Sequence, residues 1–208
     1  MSSNLPAYVQ ALLKPEAYPE RPTRIDLMQT QMSFIFLTGQ YAYKTKKPVN
    51  LGYLDYTTLE QRKHFCNQEL SLNRRLAPGA YFAVLPIVQT PTGFAVGGQG
   101  EAVEYAVKMK QLPQEHMMDA LLRQDKVTPD MVEKVAAKMS TFHKTAATSP
   151  EISSFGSLKS VKVNTDENFD QTEKYIGKLI TQHSFDFIKA YTNKFLADKA
   201  ALFEARVR

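Results

Sequence analysis

The chain has 208 residues, of which 43% are hydrophobic, and it carries a formal net charge of +5. This length and apolar share suffice for a sizeable core, and the mild, dispersed charge argues against a nucleic-acid-binding arm. The single cysteine, Cys66, excludes an internal disulfide framework and is typical of a reducing compartment. The opening residues do not resemble a signal peptide, and no apolar run approaches the ~20 residues of a membrane span. We therefore expect a soluble, cytoplasmic protein.

Short strands punctuated by glycine and proline are predicted for the first half of the chain, after a short helix at residues 7–13. The runs "SFIFL" and "YAYK" are rich in β-forming residues and flank a turn at residues 38–40, which predicts a hairpin. "YFAVLPIVQ" and "GFAVGG" flank a second turn, and "VEYAVKMK" predicts a further strand. Together these patterns predict one mostly antiparallel sheet of about five strands.

A single long helix is predicted to interrupt the strands at residues 59–76. Thr57 and Glu60 have the spacing of a capping box, which satisfies free N–H groups at a helix start, and "APG" would end the helix. A broad apolar face is formed by Leu59, Phe65, Cys66, Leu70, Leu72 and Leu76. Glu69 falls inside that face. We therefore expect the helix to pack on the sheet with one carboxylate directed towards the core.

Helical patterns replace strand patterns after Pro113. Residues 128–130, Thr-Pro-Asp, provide a helix start, and apolar residues then recur at helical spacing through residue 146. Residues 148–157 are predicted to form a loop, and apolar residues at 169–179 and 185–203 mark two further helices. The last pattern has no stop signal before Arg208. We predict a strand-rich domain over residues 1–111 and a helical domain over residues 112–208 that ends within a structural unit.

The lysine-rich strand end in "YAYKTKKPVN" is the first candidate site. Because the side chains of a strand alternate between its faces, Ala42, Lys44 and Lys46 share one face. A lysine on an edge strand is a common protection against aggregation, and this alternative stays open for the lysines taken alone. Glu69 adds a constraint, because a carboxylate that faces a core costs several kcal/mol unless it is paired and hydrogen-bonded.

Two kinds of partner are available to Glu69. Arg62 lies on the same helix face and would pair with it locally, or the carboxylate would reach water. The other possibility is an ion pair with Lys44, which would join the helix to the sheet. A strand lysine paired with a helix glutamate is the arrangement that kinases use to hold nucleotide phosphates.

A longer stretch of sequence resembles a known family. The segment "SFIFLTGQYAYKTKKPVNLGYLDYTTLEQRKHFCNQELSLNRRLAPGAYFAVLPI", followed by "EYAVKMKQLP", is similar to the N-terminal region of the aminoglycoside phosphotransferase-like kinases. It is most similar to a bacterial subgroup in which such a domain often precedes a P-loop ATPase domain. The similarity covers most of residues 22–146 and continues more weakly to residue 208. It implies an α+β, kinase-like fold, with an N-terminal sheet lobe and an incomplete helical C-terminal lobe.

The resemblance also implies a role for each matching position. Lys44 would contact the α- and β-phosphates of ATP, and Glu69 would be its partner on the helix. Ala42 would lie against the adenine. The linker between the lobes would hydrogen-bond the adenine through its backbone, around Met109, Lys110 and Gln111.

Other parts of the same region would have lesser roles. Lys46 and Lys47 are expected to be rim charges. The turn at residues 30–33 would stand over the phosphates, but it contains no glycine, unlike the Gly-rich loop of protein kinases.

The sequence departs from the family where the catalytic loop should be. Such kinases carry a loop similar to His-Gly-Asp-x-His and then an aspartate that holds magnesium, and we would expect that loop shortly after residue 208. No His-x-Asp element occurs at the histidines of this chain, His64, His116, His143 and His183. Asp186 in "HSFDFIK" resembles "DFG" only superficially, because Phe187 and Ile188 continue a helical pattern that favours core packing. His143 and Cys66 are likewise expected to be packing residues, with Cys66 an inert thiol.

These observations predict the N-terminal portion of an ATP-dependent, magnesium-requiring small-molecule phosphotransferase. We expect it to hold nucleotide but to contain no catalytic residue or metal ligand of its own, and so to be inactive alone. The phosphoryl acceptor is not identified by the sequence, and a C-terminal P-loop ATPase domain is a possible partner in a longer protein. The alternative is a non-catalytic, kinase-like module that binds a nucleotide or a partner and regulates another process.

Overall fold

The computed structural model describes residues 5–207. It is an α+β structure that contains one antiparallel sheet and several helices, as the sequence predicts. The chain divides into two compact units, Met1–Val135 and Ala136–Arg208. The predicted change from strands to helices follows the end of the last strand at Lys110, while the predicted domain boundary after residue 111 stays a prediction.

Within the described residues the sheet has six strands, one more than the patterns indicate. They are β1 (Asp26–Gln29), β2 (Ser33–Leu37), β3 (Tyr41–Lys46), β4 (Tyr81–Thr90), β5 (Gly93–Val96) and β6 (Ala102–Lys110). Their order in the sheet is β1-β2-β3-β6-β4-β5, and all neighbours are antiparallel. The turn between β2 and β3 contains Gly39 at φ +90°, a backbone conformation that favours glycine. This short turn fixes the register in which Leu37 faces Ala42.

One face of the sheet is covered by the segment that precedes β1. This segment contains helix α1 (Ala7–Ala11) and a short 3-10 helix, Pro15–Ala17. Its apolar side chains form the core with alternate residues of the strands, and the buried members include Val9, Leu12, Tyr18, Phe34, Phe36, Tyr43, Ile87 and Val96. Burial of this apolar area is the main stabilisation of the first unit. The opposite face of β3 is thereby left to carry the lysines.

Helix α2 (Leu59–Arg74) packs on that opposite face, mainly against β6 and β4. Its capping box is formed by Thr58 and Gln61, one residue later than the predicted Thr57 and Glu60. The direction of the predicted face is confirmed by Cys66 and Arg62, which are both buried, but Leu72 of the same face is 48% exposed. The stripe that faces the sheet therefore runs through residues 62, 66 and 69, and it is largely polar.

The remaining helices follow β6. They are α3 (Met118–Leu122), α4 (Pro129–Thr145), α5 (Pro150–Ser154), α6 (Leu158–Glu173), α7 (Gln182–Asp198) and α8 (Ala200–Val207). Helix α5 lies in the predicted loop, since Ser149 caps it and Pro150 occupies its first turn. Helix α6 ends at Glu173, so Ile176 lies outside it, and Gly177 adopts φ +78°. The last predicted helix is two helices, which meet at Lys199.

Few apolar side chains of the second unit are enclosed. Among its described residues, 136–207, the buried ones are Phe185 and Leu196. The predicted core packing of Phe187 and Ile188 is wrong, because Phe187 is 65% exposed and Ile188 also lies at the surface. His143 is exposed as well, rather than packed.

None of the helices within residues 5–207 combines the length and apolar character needed to cross a membrane.

Candidate functional site

Two lysines of β3 and one glutamate of α2 meet between the sheet and the helix. Lys44 Nζ donates to Glu69 Oε1 over 2.9 Å, and Lys46 Nζ donates to Glu69 Oε2 over 2.8 Å. The structure thus brings Lys44 and Glu69 together, and it adds Lys46 as a second partner. Each carboxylate oxygen holds one ammonium group.

Strand alternation and helix periodicity position these three side chains. Lys44 and Lys46 are two residues apart on β3, so both point to the α2 side of the sheet. Glu69 lies on the sheet-facing stripe of α2, nearly two turns after Arg62. The two lysines differ in their surroundings, because the Lys44 side chain is 27% exposed and the Lys46 side chain is 5% exposed. The rim position expected for Lys46 is therefore wrong.

Glu69 and Lys46 keep their charges at neutral pH. Burial by itself would raise the pKa of Glu69, but the hydrogen bonds and charges of Lys46 and Lys44 outweigh burial and hold that pKa below its ordinary value. Burial would likewise lower the pKa of Lys46, but the hydrogen bond and charge of Glu69 raise it above its ordinary value. The Lys46 ammonium also lies 5.0 Å from the centre of the Tyr56 ring, within cation–π range.

Arg62 does not pair with Glu69, so the local alternative considered for that glutamate is wrong. Its Nε donates to both carboxylate oxygens of Glu104 on β6, over 3.0 and 2.7 Å. Its NH1 group donates to the carbonyl oxygens of Tyr56 and Thr57. Arg62 therefore joins the start of α2 to the sheet, and Glu69 is left to the two lysines.

An apolar strip lies beside Lys44 on the same face of the sheet. Directly paired residues of neighbouring strands share a face, and Lys44 is paired with Ile35 and Val107. Ala42 is paired in the same way with Leu37 on β2 and Met109 on β6. Ile35, Leu37 and Met109 are only half-buried. Sequence reasoning missed Ile35 and Leu37, although the short turn at Gly39 already sets the register that places them there.

The predicted linker overlaps the end of β6, because Met109 and Lys110 are the last two residues of that strand and Gln111 follows it. The backbone N–H of Lys110 donates to Ala80 and that of Gln111 donates to Gln40, and the Gln111 side chain accepts from the N–H of Gly39. The N–H groups of Lys110 and Gln111 are therefore engaged within the sheet. Within residues 5–207, the N–H of Leu112 makes no hydrogen bond.

Lys47 ties the turn between β1 and β2 to the end of β3. Its ammonium donates to the carbonyl oxygen of Thr30 over 2.8 Å and to Gln29 Oε1 over 3.2 Å. Its backbone N–H donates to Met32, also over 2.8 Å. The expected rim role of Lys47 is therefore replaced by an anchoring role. The turn at residues 30–33, which lacks glycine, is held in place by these bonds.

Two further candidate residues, Cys66 and Asp186, have surroundings of their own. Cys66 is fully buried on α2, where burial raises the pKa of its thiol to about 11. Asp186 lies within α7 and accepts a hydrogen bond from Gln182. Across residues 5–207, no three His, Cys, Asp or Glu side chains come together in a way that could hold a metal ion. The site can bind an anion but does not supply the carboxylates that magnesium prefers.

Comparisons with known proteins identify relatives without assigning a family. No family model matches the chain. An uncharacterized protein of Mycobacterium bovis and uncharacterized proteins of two strains of Mycobacterium tuberculosis are each 25% identical to it over 184 residues. The match covers 88% of this chain and 35% of each relative, so the chain spans about a third of the length of these curated relatives. No solved structure matches it.

Proposed function

We propose that the first unit is the nucleotide-binding part of an ATP-dependent small-molecule phosphotransferase, with a kinase-like fold resembling that of the aminoglycoside phosphotransferases. One observation carries the proposal: the partly exposed Lys44 ammonium is held by Glu69 of α2 at the border of an apolar strip. A lysine of this kind is suited to contact nucleotide phosphates.

The strip next to Lys44 has the character that a purine ring requires. Ala42 leaves space because its side chain is a single methyl group, and the half-buried Leu37 and Met109 flank it. Apolar walls with a few placed polar groups are typical of small-molecule sites. We expect the adenine to lie over Ala42 and the phosphates to extend towards Lys44.

The linker would complete adenine recognition. Because the N–H groups of Lys110 and Gln111 are engaged by the sheet, a donor to the adenine would come from Leu112. Carbonyl oxygens around Met109 and Lys110 would supply the acceptors. We therefore propose that the backbone of residues 109–111 recognises the adenine, with Leu112 supplying the N–H donor.

Phosphoryl transfer would need groups that these 208 residues do not contain. The sequence has no His-Gly-Asp-x-His element, and the described residues offer no cluster for magnesium. We therefore expect weak binding of ATP or ADP and negligible transfer by this chain. The acceptor, the magnesium requirement and a P-loop ATPase domain belong to the proposal for a longer protein, as does a cytoplasmic location.

A non-catalytic binding module is the second candidate function. It is favoured by the closed arrangement of charges, since both oxygens of Glu69 are already occupied by lysines. In that case the pair would chiefly join α2 to the sheet. The same site would hold a nucleotide or a partner without transferring a group.

Replacing Lys44 with alanine separates the possibilities. Titration calorimetry with ATP should show binding to the native chain, and the Lys44→Ala variant should bind ATP at least about tenfold more weakly. Adenosine, which has no phosphate, should bind both proteins with similar affinity. Lys134→Ala is the control, because it removes an exposed ammonium of the same unit that is paired with Asp130 and not with Glu69.

Three results would count against this reasoning. ATP binding that is absent from the native chain would refute the nucleotide site. A Lys44→Ala variant that unfolds but retains ATP affinity when stabilised would support a structural pair. Phosphotransfer by the 208 residues that depends on Lys44 would refute the expected lack of activity.

A further inference from the structure

The turn between β1 and β2, residues 30–33, lies beyond the apolar strip, at the end of β3 that follows Lys44. On the α2 side of the sheet, β3 presents Ala42, Lys44 and Lys46 in that order, and each step advances about 7 Å along the strand. Ser33 is paired with Lys46, so the turn comes next in the same direction. A nucleotide with its adenine over Ala42 and its phosphates towards Lys44 would therefore direct its terminal phosphate to this turn.

Lys47 holds the turn from the other side of the sheet. Its ammonium lies 4.6 Å from the centre of the Phe34 ring, and Phe34 belongs to the core on the face opposite to α2. The ammonium donates to the carbonyl oxygen of Thr30 over 2.8 Å and to Gln29 Oε1 over 3.2 Å. The backbone N–H of Lys47 donates to the carbonyl oxygen of Met32, also over 2.8 Å. Lys47 therefore contacts the turn without facing the proposed nucleotide.

Bonds within the turn add to these ties. The Thr30 N–H donates to the Ser33 carbonyl oxygen over 3.0 Å, and Thr30 Oγ1 accepts from the Met32 N–H over 3.3 Å. Within residues 5–207 the Gln31 N–H makes no hydrogen bond, so the turn retains a backbone donor for an anion. A turn without glycine samples fewer backbone conformations, so less entropy is lost when it binds a ligand in its fixed shape.

We propose that Lys47 is a positioning residue that fixes the turn at residues 30–33 in advance, so that the backbone of the turn receives the terminal phosphate of a nucleoside triphosphate. Lys47 would thereby favour ATP over AMP without touching the phosphate itself. The part of this proposal that concerns phosphate rests on the proposed nucleotide-binding function. The part that concerns anchoring of the turn does not.

The test of anchoring uses no nucleotide. Hydrogen exchange at the backbone amides of Thr30 and Met32 is compared by NMR among the native protein, Lys47→Met and Lys63→Met. Lys63 provides a matched control, because its ammonium also lies over an aromatic ring, 5.1 Å from the centre of Tyr105 on β6. Lys47→Met should increase exchange at both amides by about fivefold or more, because the ammonium no longer ties the turn to β3. Lys63→Met should leave exchange within about twofold of the native protein.

The test of phosphate binding compares ATP with AMP by titration calorimetry. In Lys47→Met, ATP affinity should fall by about fivefold or more. AMP affinity should stay within about twofold, because its single phosphate would remain near Lys44 and would not reach the turn. Lys63→Met should bind both nucleotides like the native protein. A role of Lys47 in stability alone would weaken ATP and AMP to the same extent.

Thr30→Gly separates positioning from a direct effect of the Lys47 charge on the phosphate. This variant removes the hydroxyl that accepts from the Met32 N–H and adds backbone freedom, but it leaves every charge in place. ATP affinity should again fall by about fivefold relative to AMP, and adding Lys47→Met should cause little further loss, because both changes act through one turn. A direct charge effect would leave Thr30→Gly at native affinity.

Each remaining result decides one part of the proposal. Native exchange at Thr30 and Met32 in Lys47→Met would overturn the anchoring role. If Lys47→Met does not fold, Thr30→Gly still tests the role of the turn, and an unchanged ratio of ATP to AMP affinity would overturn it. If exchange rises as expected but the native chain binds no ATP, the nucleotide function and the phosphate role fail, while the anchoring role of Lys47 stands.

Discussion

Replacing Arg62 with methionine should destabilise the first unit strongly. The Arg62 Nε hydrogen-bonds both oxygens of Glu104, whose side chain is 2% exposed, and NH1 binds two carbonyl oxygens before α2. Without Arg62, the hydrogen bond that Glu104 keeps within residues 5–207 is the one from the Tyr105 N–H, 3.0 Å long. Removing one partner of a buried ion pair costs about 3–5 kcal/mol. Urea unfolding followed by tyrosine fluorescence measures this loss of unfolding free energy.

The loss should depend on pH in a defined direction. Burial raises the pKa of Glu104, and the Tyr105 N–H and Arg62 only partly oppose it. A carboxyl whose pKa is raised by folding favours the folded state most below its unfolded pKa of about 4.3, and this contribution is lost as pH rises through the folded pKa. Removing Arg62 raises the folded pKa further. The Arg62→Met variant should therefore be closest to the native protein near pH 4.5 and furthest from it near pH 8.

Two further variants test whether the loss comes from the buried ion pair. Lys134→Met removes an exposed ion pair with Asp130 in the same unit, and its cost should stay within about 0.5 kcal/mol. Combining Arg62→Met with Glu104→Leu removes both buried charges, so most of the stability should return. A loss below about 1 kcal/mol for Arg62→Met, without pH dependence, would refute the conclusion that this pair is a buried anchor of α2.

Two smaller predictions concern the same helix. Thr58→Ala removes the hydroxyl that accepts from the Gln61 N–H, so it should cost about 1 kcal/mol in urea unfolding, whereas Thr58→Ser should cost a few tenths of that. Cys66 should react with a thiol reagent at pH 8 only when the protein unfolds, since a pKa of about 11 leaves roughly one thiolate in a thousand and the side chain is fully buried. Immediate labelling of the native protein would contradict the enclosed position of Cys66.

Local sequence patterns were sufficient for most strands of the sheet. The runs that form β2 and β3 are rich in β-forming residues and flank a turn that contains Gly39, so both strands and their register follow from neighbouring residues. Strand β1 was missed because its four residues, "DLMQ", are largely exposed and carry little alternation. The helices after β6 were identified as a class, but their ends depended on weak signals such as Gly177.

The face of α2 was read only in part from its own residues. Apolar periodicity correctly directed Cys66 towards the sheet, but it placed Leu72 there as well, which is exposed, and it did not indicate that Arg62 is among the buried residues. The reason lies in the sheet, which presents Glu104 and two lysines to the helix. A polar stripe is stable against the sheet only because each charge meets a partner from a distant part of the chain.

The sequence by itself determined that Lys44 and Lys46 share one face of a strand and that Glu69 needs a cation. Alternation along a strand and periodicity along a helix are local properties, so they require no tertiary information. Only the tertiary structure decided that Lys46 is the enclosed lysine and Lys44 the accessible one. Burial is produced by the residues that pack above a side chain, and here Tyr56 and Glu69 reach Lys46 from separate segments.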